Sequence, residues 1–223
     1  MYTITDIKFE GNPIDDAFND PKLQKELEAE ITKNFIIEKQ KLVNNFENHE
    51  ISKEVKKPNR SKGSALLGSY KQGNLFGFIG FDEGADPITP VVEKINEVTR
   101  IKSIIFERSI NRDVLGRFAT GKQKKMRVII DVPDLNDFKD ASKEVVSTLS
   151  TFNWVKSIER GTISGYKRFL GWSDKRPRGR SGEGVLAKNN LRSGNFRHRP
   201  GYVTGLINSF VKDFAGITFL SRT

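Results

Sequence analysis

The sequence predicts an α+β fold, in which a long N-terminal amphipathic helix packs on a small, mainly antiparallel sheet, with further short helices and a long basic loop. Three observations carry this. Leu23, Leu27, Ile31, Phe35, Leu42 and Phe46 recur at spacings of four and seven, which sets them on one face of a helix. Short β-branched and aromatic runs, Met126 to Val132 being the strongest, are interspersed with helical patterns without a regular βαβ rhythm. The stretch from Lys175 to Arg199 holds scarcely any aliphatic residue, so it cannot fold around a core of its own.

Composition limits the chemistry. The 223 residues include no cysteine, which excludes a disulfide framework, a zinc-thiolate site, an iron–sulfur cluster and a cysteine nucleophile. A chain of this length buries a sizeable core without such staples. Two histidines, His49 and His198, supply imidazole metal chemistry poorly. The longest uncharged apolar run, Leu75 to Phe81, falls far short of a membrane span, and the N-terminal residues lack the basic and apolar regions of a leader. The expectation is a soluble protein with an arm over residues 1–20 and a single α+β domain over 21–223. That domain includes a basic Arg/Gly-rich loop at 171–200.

The elements follow in order. Thr3 to Phe9 alternates weakly and suggests a short strand. Asp20-Pro21 sets an N-cap before a proline at the first helical position, opening the helix that runs to about Phe46, with Glu26, Glu28 and Glu30 in its early turns as the helix dipole prefers. Residues 52–74 are rich in Lys, Ser and Gly and read as a connector. Leu75 to Phe81 reads as a strand containing Gly77 and Gly80. Thr89-Pro90 caps a short helix carrying Val91, Val92, Ile95 and Val98, and Ile101 to Ile110 returns to strand. Gly116 and Gly121 mark a turn before the strand at Met126 to Val132. Asp134 then caps a helix with Leu135, Phe138, Ala141, Val145 and Leu149 on one face. Trp154 to Tyr166 is ambiguous in type. Tyr202, Val203, Leu206, Ile207, Phe210, Val211 and Phe214 mark a final amphipathic helix, and Ile217 to Leu220 a closing strand.

The net charge of +10 is concentrated in one place. From Lys167 to Arg199 ten basic residues face two acidic ones, Asp174 and Glu183, which leaves the rest of the chain near neutral. Between Lys175 and Arg199 the segment is arginine-led, six Arg to two Lys. Arginine suits bidentate contact with phosphate or carboxylate, and glycine neighbours let backbone amides approach an anion. Arg168, Lys175, Arg176, Arg178, Arg180, Lys188, Arg192, Arg197 and Arg199 are therefore the candidate contacts to DNA or to an acidic partner. Phe196 and Tyr202 are within reach of bases for stacking, although Tyr202 fits a core position better. The segment lacks the regularly interleaved aromatics of single-strand binders.

No catalytic site is nominated, and no metal or cofactor is implied. Gly116 to Gln123 matches P-loop spacing through Lys122 but carries Gln123 where Ser or Thr must ligate magnesium, and it leads into a strand rather than a helix. Asp134, Asp137 and Lys139 share one helical turn, unlike the acid and lysine set of metal-dependent nucleases, and capping explains them. His49 lacks a second histidine four residues on.

Several strings together resemble virion structural proteins of tailed bacteriophages. They are Phe46-Glu47-Asn48-His49 closing a long helix, Gly73 to Phe81 followed by Asp86-Pro87-Ile88, and Ile158-Glu159-Arg160-Gly161 leading to Arg180-Ser181-Gly182-Glu183-Gly184-Val185. The architecture resembles that of the neck and tail-completion proteins, over residues 22 to 220. Where those proteins carry an Asp-Thr-Gly-x-Leu string after the long helix, this chain has Gly73-Asn74-Leu75. The resemblance implies a structural, non-enzymatic head-to-tail connector subunit that forms a homo-oligomeric ring around the DNA channel. Its neighbours would be portal, head-completion or tail proteins, with nonspecific contact to packaged DNA, and its place would be the virion, assembled in the host cytoplasm. The residues by themselves leave open a stand-alone nucleic-acid-binding protein that acts without sequence preference, and an unrecognised nuclease.

Overall fold

The computed structural model describes residues 2–4, 8–10, 20–58, 74–79, 81–112, 118–147, 150–160, 169–170, 185–186, 201–216 and 218–220. The chain is a mixture of helices and small sheets, an α+β arrangement. It divides into two compact units. Unit 1 comprises Met1–Leu42, Glu97–Val132 and Ile207–Thr223, and unit 2 comprises Val43–Asn96 and Pro133–Leu206. Among the described residues, no helix is long and apolar enough to cross a membrane.

In unit 1, strand β1 (Tyr2–Ile4) and strands β3 (Arg100–Arg112) and β4 (Phe118–Asp131) form an antiparallel sheet in the order β1-β4-β3. β1 pairs only with Val128 to Ile130, so β3 and β4 continue past it as a two-stranded ribbon. The expected strand at Thr3 to Phe9 is two pieces, β1 and β2 (Lys8–Glu10), and β2 pairs in parallel with β9 (Thr218–Leu220). At the sheet's end Arg100 meets Asp131 at 3.4 Å.

Helix α1 (Pro21–Asn48) starts as its sequence dictates, the Lys22 amide donating to Asp20 Oδ1 at 2.8 Å. Its apolar stripe is buried from Ile31 onward, whereas Leu23 is exposed. Between Phe35 and Leu42 the stripe has no apolar residue, and Glu38 fills the gap, only 8% exposed and paired with Lys41 at 2.7 Å. Within unit 1, Phe35 meets two aromatic residues of the C-terminal helix edge-on, Phe210 at 5.8 Å and Phe214 at 5.4 Å. Phe210 and Phe214 lie one helical turn apart and stack on each other. Such aromatic pairs add about 0.5–1.5 kcal/mol beyond area burial.

Unit 2 differs from the sequence expectation at several points, each with a local cause. Residues 52–56, expected as connector, belong instead to helix α2 (Glu50–Lys56), because His49 turns the chain out of α1 and its Nδ1 accepts the Ile51 amide at 3.2 Å. Residues 59–73 lie outside the described residues. The run expected as a strand at Leu75 to Phe81 is helix α3 (Leu75–Ile79). Its first amides are satisfied from both sides, Leu75 N–H donating to Glu54 Oε2 at 3.3 Å and Gly77 N–H to Asn74 Oδ1 at 3.4 Å. Leu75, Phe76 and Ile79 are all buried, and in so short an apolar run periodicity does not separate strand from helix. Helix α4 (Thr89–Val98) is capped by Asp86 rather than Thr89, since Asp86 Oδ1 accepts the Ile88 and Thr89 amides at 3.1 Å each. The Thr89 hydroxyl and these amides together hold the Asp86 carboxyl below the usual carboxylate range.

The helix expected after Asp134 does not form. Asp134 Oδ1 does accept the Asn136 and Asp137 amides, and Asp137 Oδ2 accepts the Asp134 amide in return at 2.7 Å, a reciprocal cap. But the Asn153 side-chain amide donates to the carbonyls of Phe138 and Lys139, and the chain passes through turns into strand β5 (Lys143–Ser147). β5 pairs antiparallel with β6 (Ser150–Asn153), so Val145 belongs to a strand. Asn153 also caps helix α5 (Trp154–Glu159), accepting the Lys156 amide at 2.8 Å. Trp154, Val155 and Ile158 are buried, with Phe81 edge-on against Trp154. Strands β7 (Phe169–Leu170) and β8 (Val185–Leu186) pair antiparallel, and helix α6 (Tyr202–Ala215) closes the helical set.

Candidate nucleic-acid interface

The segment between α5 and α6 carries the arginine excess, and its two ends are joined by one side chain. Gly201 occupies the N-cap position of α6, since its carbonyl accepts the first helical bond from Gly205 N–H at 2.8 Å. Its φ of +106° lies where residues with a Cβ are strained, which accounts for glycine there. Glycine has no oxygen with which to cap, so the amides of the first turn need an acceptor from elsewhere. Glu159, the last residue of α5, supplies it. One carboxylate oxygen accepts the Val203 amide at 3.0 Å, and the other accepts the Thr204 amide at 3.3 Å together with the Thr204 hydroxyl. These are the second and third helical positions, where a cap acts. Glu159 is 7% exposed, and its charge faces the positive end of the α6 dipole.

The neighbouring residue fastens the same corner. Tyr202 is buried, its hydroxyl bonded to Ser52 Oγ of α2 and its ring stacked on Phe46 at 5.7 Å, with the His49 imidazole at 4.7 Å. Burial pushes the phenol pKa well above its ordinary value; the Ser52 bond opposes this and the Glu159 charge adds to it. Tyr202 is therefore a core residue and not a base-stacking platform. Arg160 and Gly201, which bound the segment between α5 and α6, are both held at this corner by Glu159 and Tyr202.

Within that segment the pairing of Phe169 with Leu186 and Leu170 with Val185 corrects the expectation of one continuous loop at 171–200. The strand pair separates two basic stretches, 171–184 with Lys175, Arg176, Arg178 and Arg180, and 187–200 with Lys188, Arg192, Arg197 and Arg199. These eight residues and Arg168, the sequence-predicted contacts, lie outside the described residues, as does Phe196.

The other sequence candidates resolve into structural roles. From Phe118 the P-loop-like string lies on β4, in an antiparallel pair that sets Lys122 opposite Ile110, with no helix N-terminus behind it. Asp134 and Asp137 cap each other's turn. Among the described residues no group of three or more His, Asp or Glu is placed to hold a metal ion. Sequence reading missed the Glu159 anchor; the available signal was a helix at Tyr202 preceded by a glycine and no capping side chain. It also missed how the register of β3 against β4 distributes basic residues. Comparisons with protein-family models, with curated proteins and with solved structures match nothing.

Proposed function

We propose that the chain is a structural head-to-tail connector subunit of a tailed bacteriophage, of the neck or tail-completion kind, whose copies form a ring around the DNA channel. In this reading the long helix α1 packs on the sheet, neighbouring portal, head-completion or tail proteins stack on the ring, and the protein resides in the virion. It performs no chemistry. The observation that carries the reading is the arginine-led segment anchored at its base by Glu159 and Tyr202. A ring multiplies such a segment about one axis, and that crowding of like charge is tolerable only beside phosphates or carboxylates. Glycine and serine between the arginines allow the close approach a phosphate backbone requires.

Native mass measurement, alone and with virion partners, tests the assembly, and a discrete ring or partner-dependent assembly is the expected result. Replacing Arg176, Arg178 and Arg180 together with Ser tests the segment. Unaltered assembly with unaltered DNA affinity would reduce it to a solvated tether. The second reading, a stand-alone protein that binds nucleic acid without sequence preference, is favoured by the same arginine excess, and it predicts a monomer or dimer that shifts duplex DNA by itself.

A further inference from the structure

The β3–β4 ribbon carries a second concentration of positive charge that composition does not single out. Past the part of β4 covered by β1, residues Glu107–Arg112 and Phe118–Lys125 include five basic residues and one acidic one. Register divides them unequally between the two faces. One face bears Glu107 opposite Lys125 and Ser109 opposite Gln123, a neutral set. The other bears Arg108 opposite Lys124 and Ile110 opposite Lys122, with no acid. This second face continues the one that carries Phe106 opposite Met126 and Ile104 opposite Val128, where Met126 and Val128 are buried in unit 1. The row thus turns from apolar to cationic along the two strands.

Like charges directly opposite in an antiparallel pair weaken it, so setting Arg108 against Lys124 gains nothing for the ribbon itself. An anion laid along that face removes the repulsion. The spacing suits a nucleic-acid backbone. Lys122 and Lys124 are separated by two strand residues, about 6.8 Å, a spacing on the scale of neighbouring phosphates along one strand of duplex DNA. Arg108 stands directly opposite Lys124 on the neighbouring strand, with Cα atoms roughly 5 Å apart. A two-stranded ribbon also fits the major groove, about 12 Å wide.

We propose that the ribbon face formed by Arg108, Lys122 and Lys124 is a contact for the phosphate backbone of duplex DNA. It deepens the connector reading by adding a DNA contact in unit 1, but it needs no ring. The test uses the full chain and a short labelled duplex of random sequence, titrated at several salt concentrations. The variant with Arg108→Ser, Lys122→Ser and Lys124→Ser should bind more weakly at low salt. Its slope of log affinity against log salt should be shallower than wild type by about 2 to 3, at roughly 0.9 per phosphate released. The charge-keeping variant Arg108→Lys, Lys122→Arg and Lys124→Arg should retain the wild-type slope, which separates lost charge from a disturbed ribbon. An unchanged slope in the serine variant overturns the proposal, as does equal ribbon-dependent affinity for a poly-glutamate peptide, which would make the face a carboxylate site. Loss of slope only on replacing Arg176, Arg178 and Arg180 overturns the ribbon contact and leaves the connector reading standing. A ribbon-dependent slope in a protein that stays monomeric supports the contact and removes the ring.

Discussion

Helices α1 and α6 begin in opposite ways. At α1 the capping oxygen belongs to Asp20, next to the first helical residue and exposed to solvent. At α6 the N-cap is Gly201, which has no side chain to offer, and the acceptor comes from Glu159, 44 and 45 residues before the amides it serves and buried together with that of Val203. Both solutions meet the same need, since the first amides of a helix have no partner inside it. They differ in what fails when they are removed. Water replaces an exposed cap at little cost, whereas buried amides left without an acceptor bear their full desolvation penalty.

Replacing Glu159 with Ala should therefore have the largest effect, about 2–4 kcal/mol of unfolding free energy, from the lost cap and the buried donors together. Urea denaturation reads it, and Glu159→Gln, which keeps an acceptor, should recover part of the loss. A cost no greater than that of Asp20→Ala would erase the contrast. Gly201→Ala comes next, at roughly 1–2 kcal/mol, because a residue with a Cβ is strained at positive φ. An added Cβ would lie 3.9 Å from the Gly205 nitrogen, an ordinary contact, so this cost is conformational and not a clash. Wild-type stability in that variant would show that the backbone relaxes and that glycine is dispensable there. Asp20→Ala should cost about 1 kcal/mol and Asp20→Gly only a few tenths, measured the same way.

The smallest effect sharpens the comparison through a third helix start, that of α2, where the cap is a titratable neighbour. Burial lowers the His49 pKa from its ordinary value, and the charge of Glu50 partly restores it. The unfolded chain thus binds the proton more readily, so stability should decline as pH falls through about 6.5 and level off below the folded-state pKa. Protonation also removes the Nδ1 acceptor from the Ile51 amide. The denaturation midpoint followed from about pH 8 to about pH 5 should show this decline in wild type and lose it in His49→Asn, which still caps. An identical decline in that variant would assign the effect to other groups.

Legibility followed the same division between local and remote. Asp20-Pro21 and the stripe from Ile31 to Phe46 announced α1 because the cap and the spacing of the apolar residues are both local signals. The strand at Met126 to Val132 was equally plain. The helix expected after Asp134 failed although its reciprocal cap formed, because the residues from Lys143 onward pair with β6, whose last residue Asn153 also bonds to the carbonyls of Phe138 and Lys139. Leu75 to Ile79 became a helix through acceptors at Glu54 and Asn74, of which only Asn74 adjoins it. At the candidate interface, composition exposed the arginine-led segment, since an apolar deficit needs no partner to be visible. Its anchor was hidden because Glu159 at the end of a short helix looks like any solvated acid until Thr204 is set beside it. The ribbon's one-sided charge was hidden for a related reason: strands can be read from sequence, but the faces their residues share depend on register.

The parallel pairing of β2 with β9 bears on the order in which this chain acquires structure during its synthesis. Unit 2 is drawn wholly from residues 43–206, whereas unit 1 gathers residues from 1–42, 97–132 and 207–223. Lys8 to Glu10 must wait for Thr218 to Leu220 before that ladder can close. At roughly 5–20 residues per second of translation, β2 emerges many seconds before its only partner among the described strands. Unit 2 also waits for Tyr202 and Val203, which are buried in it, so the two units close nearly together, and the early segments of unit 1 are the part of the nascent chain exposed longest to aggregation and to chaperones. Contacts of such long sequence separation also form slowly once the whole chain is available. A short C-terminal truncation is thus expected to trap a species with unit 2 formed and unit 1 incomplete, a difference that hydrogen exchange resolved by segment would detect.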